Sequence, residues 1–83
     1  MKTPYLDISD EVRSFSQEVD EIELKWHRDE EDREVVSISK TDWKVQLDNA
    51  LPVSLNSPVK IKASTWHRVI KGTGNLVVKI TKK

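Results

Sequence analysis

Residues 57–80 read SPVKIKASTWHRVIKGTGNLVVKI, and the period of this stretch decides the fold class. Val59, Ile61 and Ala63 alternate with Lys60 and Lys62, and Leu76, Val78 and Ile80 alternate with Val77 and Lys79. A period of two is that of a strand with one apolar and one polar face. Lys71-Gly72-Thr73-Gly74 separates the runs as a turn. The same alternation continues upstream: Ile22, Leu24 and Trp26 against Glu21, Glu23 and Lys25; Val36 and Ile38 against Ser37 and Ser39; Trp43, Val45 and Leu47 against Lys44, Gln46 and Asp48. Turn-forming residues stand between the runs at Asp29–Asp32, Lys40-Thr41-Asp42, Asp48-Asn49 with Pro52, and Asn56-Ser57-Pro58. Strands with turns about every ten residues predict an all-β antiparallel sandwich or barrel over residues 21–83. Residues 1–20 are expected to add a strand or one short helix. Val12, Phe15 and Val19 have helical spacing behind a Ser9 cap, and an irregular strand competes. This N-terminal segment, Tyr5 to Phe15 above all, could give an edge for a homodimer.

The chain has 83 residues and no cysteine. A single domain of this size buries roughly 60% of its unfolded surface, enough for one core and one small pocket. Disulfides and thiolate metal sites are excluded. No apolar run approaches the ~20 residues that span a bilayer, and Met1-Lys2-Thr3-Pro4 does not open a signal peptide, so no membrane association and a cytoplasmic location are expected. The 14 basic and 14 acidic residues balance but are unevenly spread. Nine acids lie between Glu18 and Glu34 against Lys25, Arg28 and Arg33, whereas Ser57–Lys83 holds seven bases and no acid. Neighbouring strands of opposite charge account for this more simply than a nucleic-acid surface, because Lys60, Lys62 and Lys79 alternate with apolar residues on a solvent face.

The tripeptide Trp-His-Arg occurs twice, at Trp26-His27-Arg28 and Trp66-His67-Arg68, and contains both histidines. In extended chain His27 and Asp29 share a face, and a turn returns Glu34 on the next strand. If His67 arrives from a later strand, two imidazoles and two carboxylates converge. That donor set suits iron, manganese, nickel, zinc or copper. Alternation with Ile22, Leu24 and Trp26 as the inward set sends His27 to the polar face, however. An inward His27 then requires a β-bulge near Trp26 or a sheet buried on both faces.

From about residue 21 to residue 80 the chain resembles the cupin family of small jelly-roll β-barrels. Their first motif, G-x5-H-x-H-x3–4-E-x6-G, is matched in register by His27, Asp29 and Glu34, with Glu21 and Thr41 at the glycines and aspartate in place of the second histidine. Their second, G-x5-P-x-G-x2-H-x3-N, falls on Asn56, Lys62, Ser64, His67 and Lys71, and Pro52 lies in the loop between the motifs. The resemblance implies a cupin-like barrel with metal ligands at His27, Glu34 and His67. Asp29 is a chemically plausible fourth. It also implies a small-molecule ligand, for which Trp26, Trp43, Trp66, Arg28 and Arg68 are candidates by stacking and by anion pairing.

No nucleophile–base pair is evident, so catalytic residues and a reaction stay unassigned. Asp29–Asp32 lacks the glycine and ligand spacing of a calcium loop, and Gly72-Thr73-Gly74 is not a phosphate loop. The functional expectation is a ligand- or metal-binding pocket. A metal-free structural or interaction module, pairing as a homodimer, is the alternative, and a nucleic-acid binder the more distant one.

Overall fold

The computed structural model describes residues 4–82, so Met1–Thr3 of the N-terminal segment lie outside the described residues. Eight strands follow in order: β1 (Leu6–Asp7), β2 (Val12–Phe15), β3 (Arg33–Ser37), β4 (Lys44–Leu47), β5 (Val53–Ser54), β6 (Val59–Ile61), β7 (His67–Ile70) and β8 (Leu76–Lys82). All ladders are antiparallel. One sheet has the order β1-β2-β8-β3-β6 and the other β5-β4-β7. The chain crosses repeatedly between the sheets, with β3 on β8 enclosing β4 on β7. This nested pairing is of jelly-roll type, but the described strands form two open sheets and no closed barrel. Among the described residues no helix is long and apolar enough to cross a membrane.

The longest strand shows why the alternation was informative. Leu76, Val78 and Ile80 are buried while Lys79 is exposed. Their side chains meet Phe15, Trp43, Val45, Leu55 and Ile61 in one core. Each such buried side chain contributes roughly 1.5–3 kcal/mol of transfer free energy. Outside the core, Glu34 lies opposite Lys60 on the adjoining strand, placing acid beside base.

Three sequence expectations are corrected. The possible N-terminal helix is absent among the described residues, because Val12–Phe15 pairs with β8 as a strand. The expected strand at Ile22–Trp26 is replaced by a 3-10 turn at Glu21–Glu23. Asp20 drives this change: its Oδ1 accepts the Ile22 amide and its carbonyl accepts the Glu23 amide. The turn throws Ile22 outward, 76% exposed, and buries Leu24. In β3 the inward set is Arg33 and Val35, so the expected apolar face of Val36 and Ile38 is off by one residue, and Ile38 is exposed. A charged Arg33 can face inward there because Asp29 and Glu31 pair with it.

Candidate metal centre

His27 and His67 meet backbone to backbone. Each amide donates to the other's carbonyl, at 2.9 and 2.8 Å, as an isolated antiparallel bridge at the end of β7. Their rings stand edge to face with centroids 4.2 Å apart. Antiparallel pairing at this one position places Trp26 opposite Arg68 and Arg28 opposite Trp66. The Arg68 guanidinium accordingly lies 4.8 Å from the centre of the Trp26 ring, and that of Arg28 lies 5.3 Å from Trp66. The two copies of the tripeptide therefore form a pair with local two-fold character, histidines on the cavity side and Trp–Arg pairs on the outside.

Alternation explains the inward histidine without a bulge. The 3-10 turn ends at Leu24, and from there Lys25, His27 and Asp29 line the cavity side while Trp26 and Arg28 face out. The assumption that tryptophan must point inward produced the opposite phase.

The ring geometry leaves specific nitrogens bare. His27 Nδ1 lies 3.1 Å from the Lys25 carbonyl and His67 Nδ1 lies 2.8 Å from the Thr65 carbonyl. A carbonyl oxygen has no proton, so each Nδ1 carries one and donates it. In the neutral rings Nε2 then holds the lone pair, the arrangement found in metal-binding histidines. Burial foremost, aided by His27 and Arg33 and opposed by the Thr65 carbonyl and Asp29, pushes the His67 pKa below its ordinary value and favours this neutral form.

Asp29 completes the group. Its carbonyl accepts the Ser64 amide at 2.7 Å, and Asp32 Oδ1 accepts the Ala63 amide at 2.7 Å, docking the Asp29–Asp32 turn onto the loop before β7. Asp29 Oδ1 pairs with Arg33 at 3.4 Å, and Arg33 also donates to Glu31 at 2.9 Å. Asp29 Oδ2 is buried with no hydrogen-bond donor, 3.3 Å from His67 Nε2. One donor atom from each of His27, Asp29 and His67 lies within 4.8 Å of the others. A buried acceptor without a partner carries a desolvation cost of about 1–3 kcal/mol, and here it faces another lone pair. A cation between them relieves both.

Three of the four expected metal residues thus converge, and Glu34 does not. It projects from the other face of β3 into a shallow groove with Lys60 and Lys62, because residues adjacent along a strand point to opposite sides. Of the stacking candidates, Trp43 is fully buried and belongs to the core, its indole N–H shared between the Thr73 and Gly74 carbonyls at 3.2 and 3.1 Å. Trp26, Trp66, Arg28 and Arg68 lie outside the cavity rather than lining it. Arg68 donates to Gln46 at 3.0 Å. Arg33 was missed as a cavity residue. Its spacing of four from Asp29 was the available signal.

Behind the cluster a cavity of about 570 Å³ opens between the sheets, walled by core side chains of both and polar at the histidine end. Comparison of the chain with protein-family models, curated proteins and solved structures finds no match.

Proposed function

We propose that the protein is a small cupin-like binding protein that holds a divalent transition metal through His27, Asp29 and His67 and admits a small ligand to the adjoining cavity. The carrying observation is the bare Asp29 Oδ2 aimed at the bare Nε2 of His67. Two imidazoles and one carboxylate fit zinc, nickel, iron, manganese or copper, and leave coordination positions open. The carbonyl acceptors on both Nδ1 atoms fix the ring orientations that such an ion needs. The exposed His27 side gives the ion a route in. The chemistry available is binding and polarisation of a ligand at the open positions, and no reaction is assigned.

The test is elemental analysis of the purified protein together with titration of the metal-free form by zinc, nickel and manganese, followed by tryptophan fluorescence. One equivalent bound with micromolar affinity or better, and lost in His67→Ala, is the expected result. Absence of binding to any of the three at micromolar concentrations overturns the reading.

The second reading, a metal-free module that pairs through its N-terminal edge, draws on one observation. Leu6 and Ile8 are 70% and 59% exposed beside the outer edge of β1, and bare edges invite association. A sedimentation profile that is dimeric for the natural chain and monomeric for Leu6→Asp would favour it.

A further inference from the structure

We propose that the outer face of the paired Trp-His-Arg tripeptides binds single-stranded nucleic acid. The histidines point from the same ladder toward the cavity, so binding on this face is independent of the metal reading. The pattern of rings, their exposure and the unpaired charge beside them support it.

The bridge of His27 to His67 sets Trp26 opposite Arg68 and Arg28 opposite Trp66. The tryptophans thus take one diagonal of a square and the arginines the other. Positions diagonal across an antiparallel pair stand roughly 7–8 Å apart. That is about two steps of a stacked strand at ~3.4 Å each, so bases splayed from an extended strand can each meet a ring. Trp26 and Trp66 are 40% and 44% exposed. Stacking on such rings tolerates any base, because every base has a π-face.

Charge selects the partner. Arg68 donates from Nε to Gln46, a neutral group, and its terminal nitrogens have no partner among the described residues. No described carboxylate pairs with Arg28 or Arg68. Lys44 shares the face, two residues from Gln46 along β4. The nearby acids are Asp48, whose amide donates to the Trp66 carbonyl, and Glu30, two residues past Arg28. Stacking therefore carries most of the affinity and charge the lesser part, with the guanidinium groups free to take phosphate oxygens. A second copy of the chain fits poorly, because this face set against its like brings arginine against arginine. A duplex fits poorly too, since its bases already stack on one another.

The probe is an oligothymidylate of about eight nucleotides, with oligouridylate alongside. Each is titrated into the natural chain while tryptophan fluorescence and the anisotropy of an end-labelled strand are recorded. Binding should be saturable and should quench the tryptophans. A fourfold rise in salt should weaken it about sevenfold, as for two phosphate contacts on a single strand. Trp26→Ala and Trp66→Ala should each weaken it about tenfold, and Trp66→Phe, which keeps a ring, should weaken it less. Arg28→Gln and Arg68→Gln should flatten the salt dependence. Lys60→Ala and Lys79→Ala, on the other sheet, should change nothing. Binding of either strand supports the inference, and their ratio tells whether DNA or RNA is preferred. Absence of binding to both strands at low salt overturns it. So does full affinity in both tryptophan-to-alanine variants, or equal affinity for duplex DNA, polyglutamate or thymidine monophosphate.

Discussion

The two ends of the β4–β7 ladder are built from the same kinds of residue and finished in opposite ways. At one end, where Lys44 pairs with Ile70, Trp43 is fully buried and its indole N–H has two carbonyl partners. The adjoining turn is tied down by Asp42, which accepts the amide and the hydroxyl of Thr73. A Cβ on Gly72 would collide with that carboxylate and with the Trp43 backbone, so the turn lies close against it. At the other end, where Leu47 pairs with His67, the tryptophans stand outside and a carboxylate oxygen is left bare among two imidazoles. One end satisfies both the indole and the amide N–H of its tryptophan. The other leaves a buried carboxylate oxygen facing an imidazole nitrogen without a hydrogen-bond partner, which selection for stability alone does not favour.

The contrast can be broken most severely at the sealed end. Trp43→Ala should lower the unfolding free energy by about 3–5 kcal/mol in urea melts, a large share of the total for a domain of this size. Trp66→Ala, at the open end, should stay within ~1 kcal/mol of the natural chain. Equal losses at the two positions would erase the distinction.

Asp29→Asn probes the open end directly. Zinc affinity should fall about 100-fold, since loss of a direct ligand costs at least as much as loss of a ligand's supporting partner. The metal-free thermal midpoint should hold or rise, because the amide can donate to His67 Nε2 where the carboxylate could not. A fall in that midpoint would mean that Asp29 is there for stability.

A pH series sharpens the same point. His67 has a lowered pKa in the folded chain, so the unfolded chain takes up its proton first as pH falls. The metal-free protein should therefore keep this contribution above the ordinary histidine value of 6.5 and lose it as pH drops below that value. Denaturant midpoints measured across that window, with His67→Gln as the control that flattens them, decide the matter.

The smallest effect belongs to the outer Trp–Arg pairs. A double-mutant cycle on Trp26 and Arg68 should return a coupling of about 0.5–1 kcal/mol, typical of an exposed cation–π contact. A coupling near zero would make the outer decoration incidental to the pairing of the two tripeptides.

Much of the sheet structure was legible because alternation is a direct imprint of two-faced strands. Trp43 with Val45, Val59 with Ile61, and Leu76 with Val78 and Ile80 all read correctly. What was not legible arose where a local hydrogen bond outweighed hydrophobic pattern. The Asp20 cap bent residues 21–23 into a 3-10 turn, and an ion pair let Arg33 face inward and moved the phase of β3. Tryptophan misled twice over, because a sequence does not distinguish the buried Trp43 from Trp26 and Trp66, which cover the outside with arginine partners. Glu34 failed for a related reason: motif spacing counted residues along the chain, whereas strand parity decides the side. That His27 and His67 sit together followed from no period at all. It follows from two copies of one tripeptide pairing antiparallel.

The bridge between residues 27 and 67 has a topological consequence. A chain devoid of cysteine has no disulfide, yet an ion held jointly by His27, Asp29 and His67 would close a loop of about forty residues. Closing a loop of that length is worth about 4 kcal/mol in the chain-entropy account. It would act as a reversible tether, fastened when the ion arrives and undone by a chelator, setting how readily the segment around the 3-10 turn lifts away from β7 and exposes the interior.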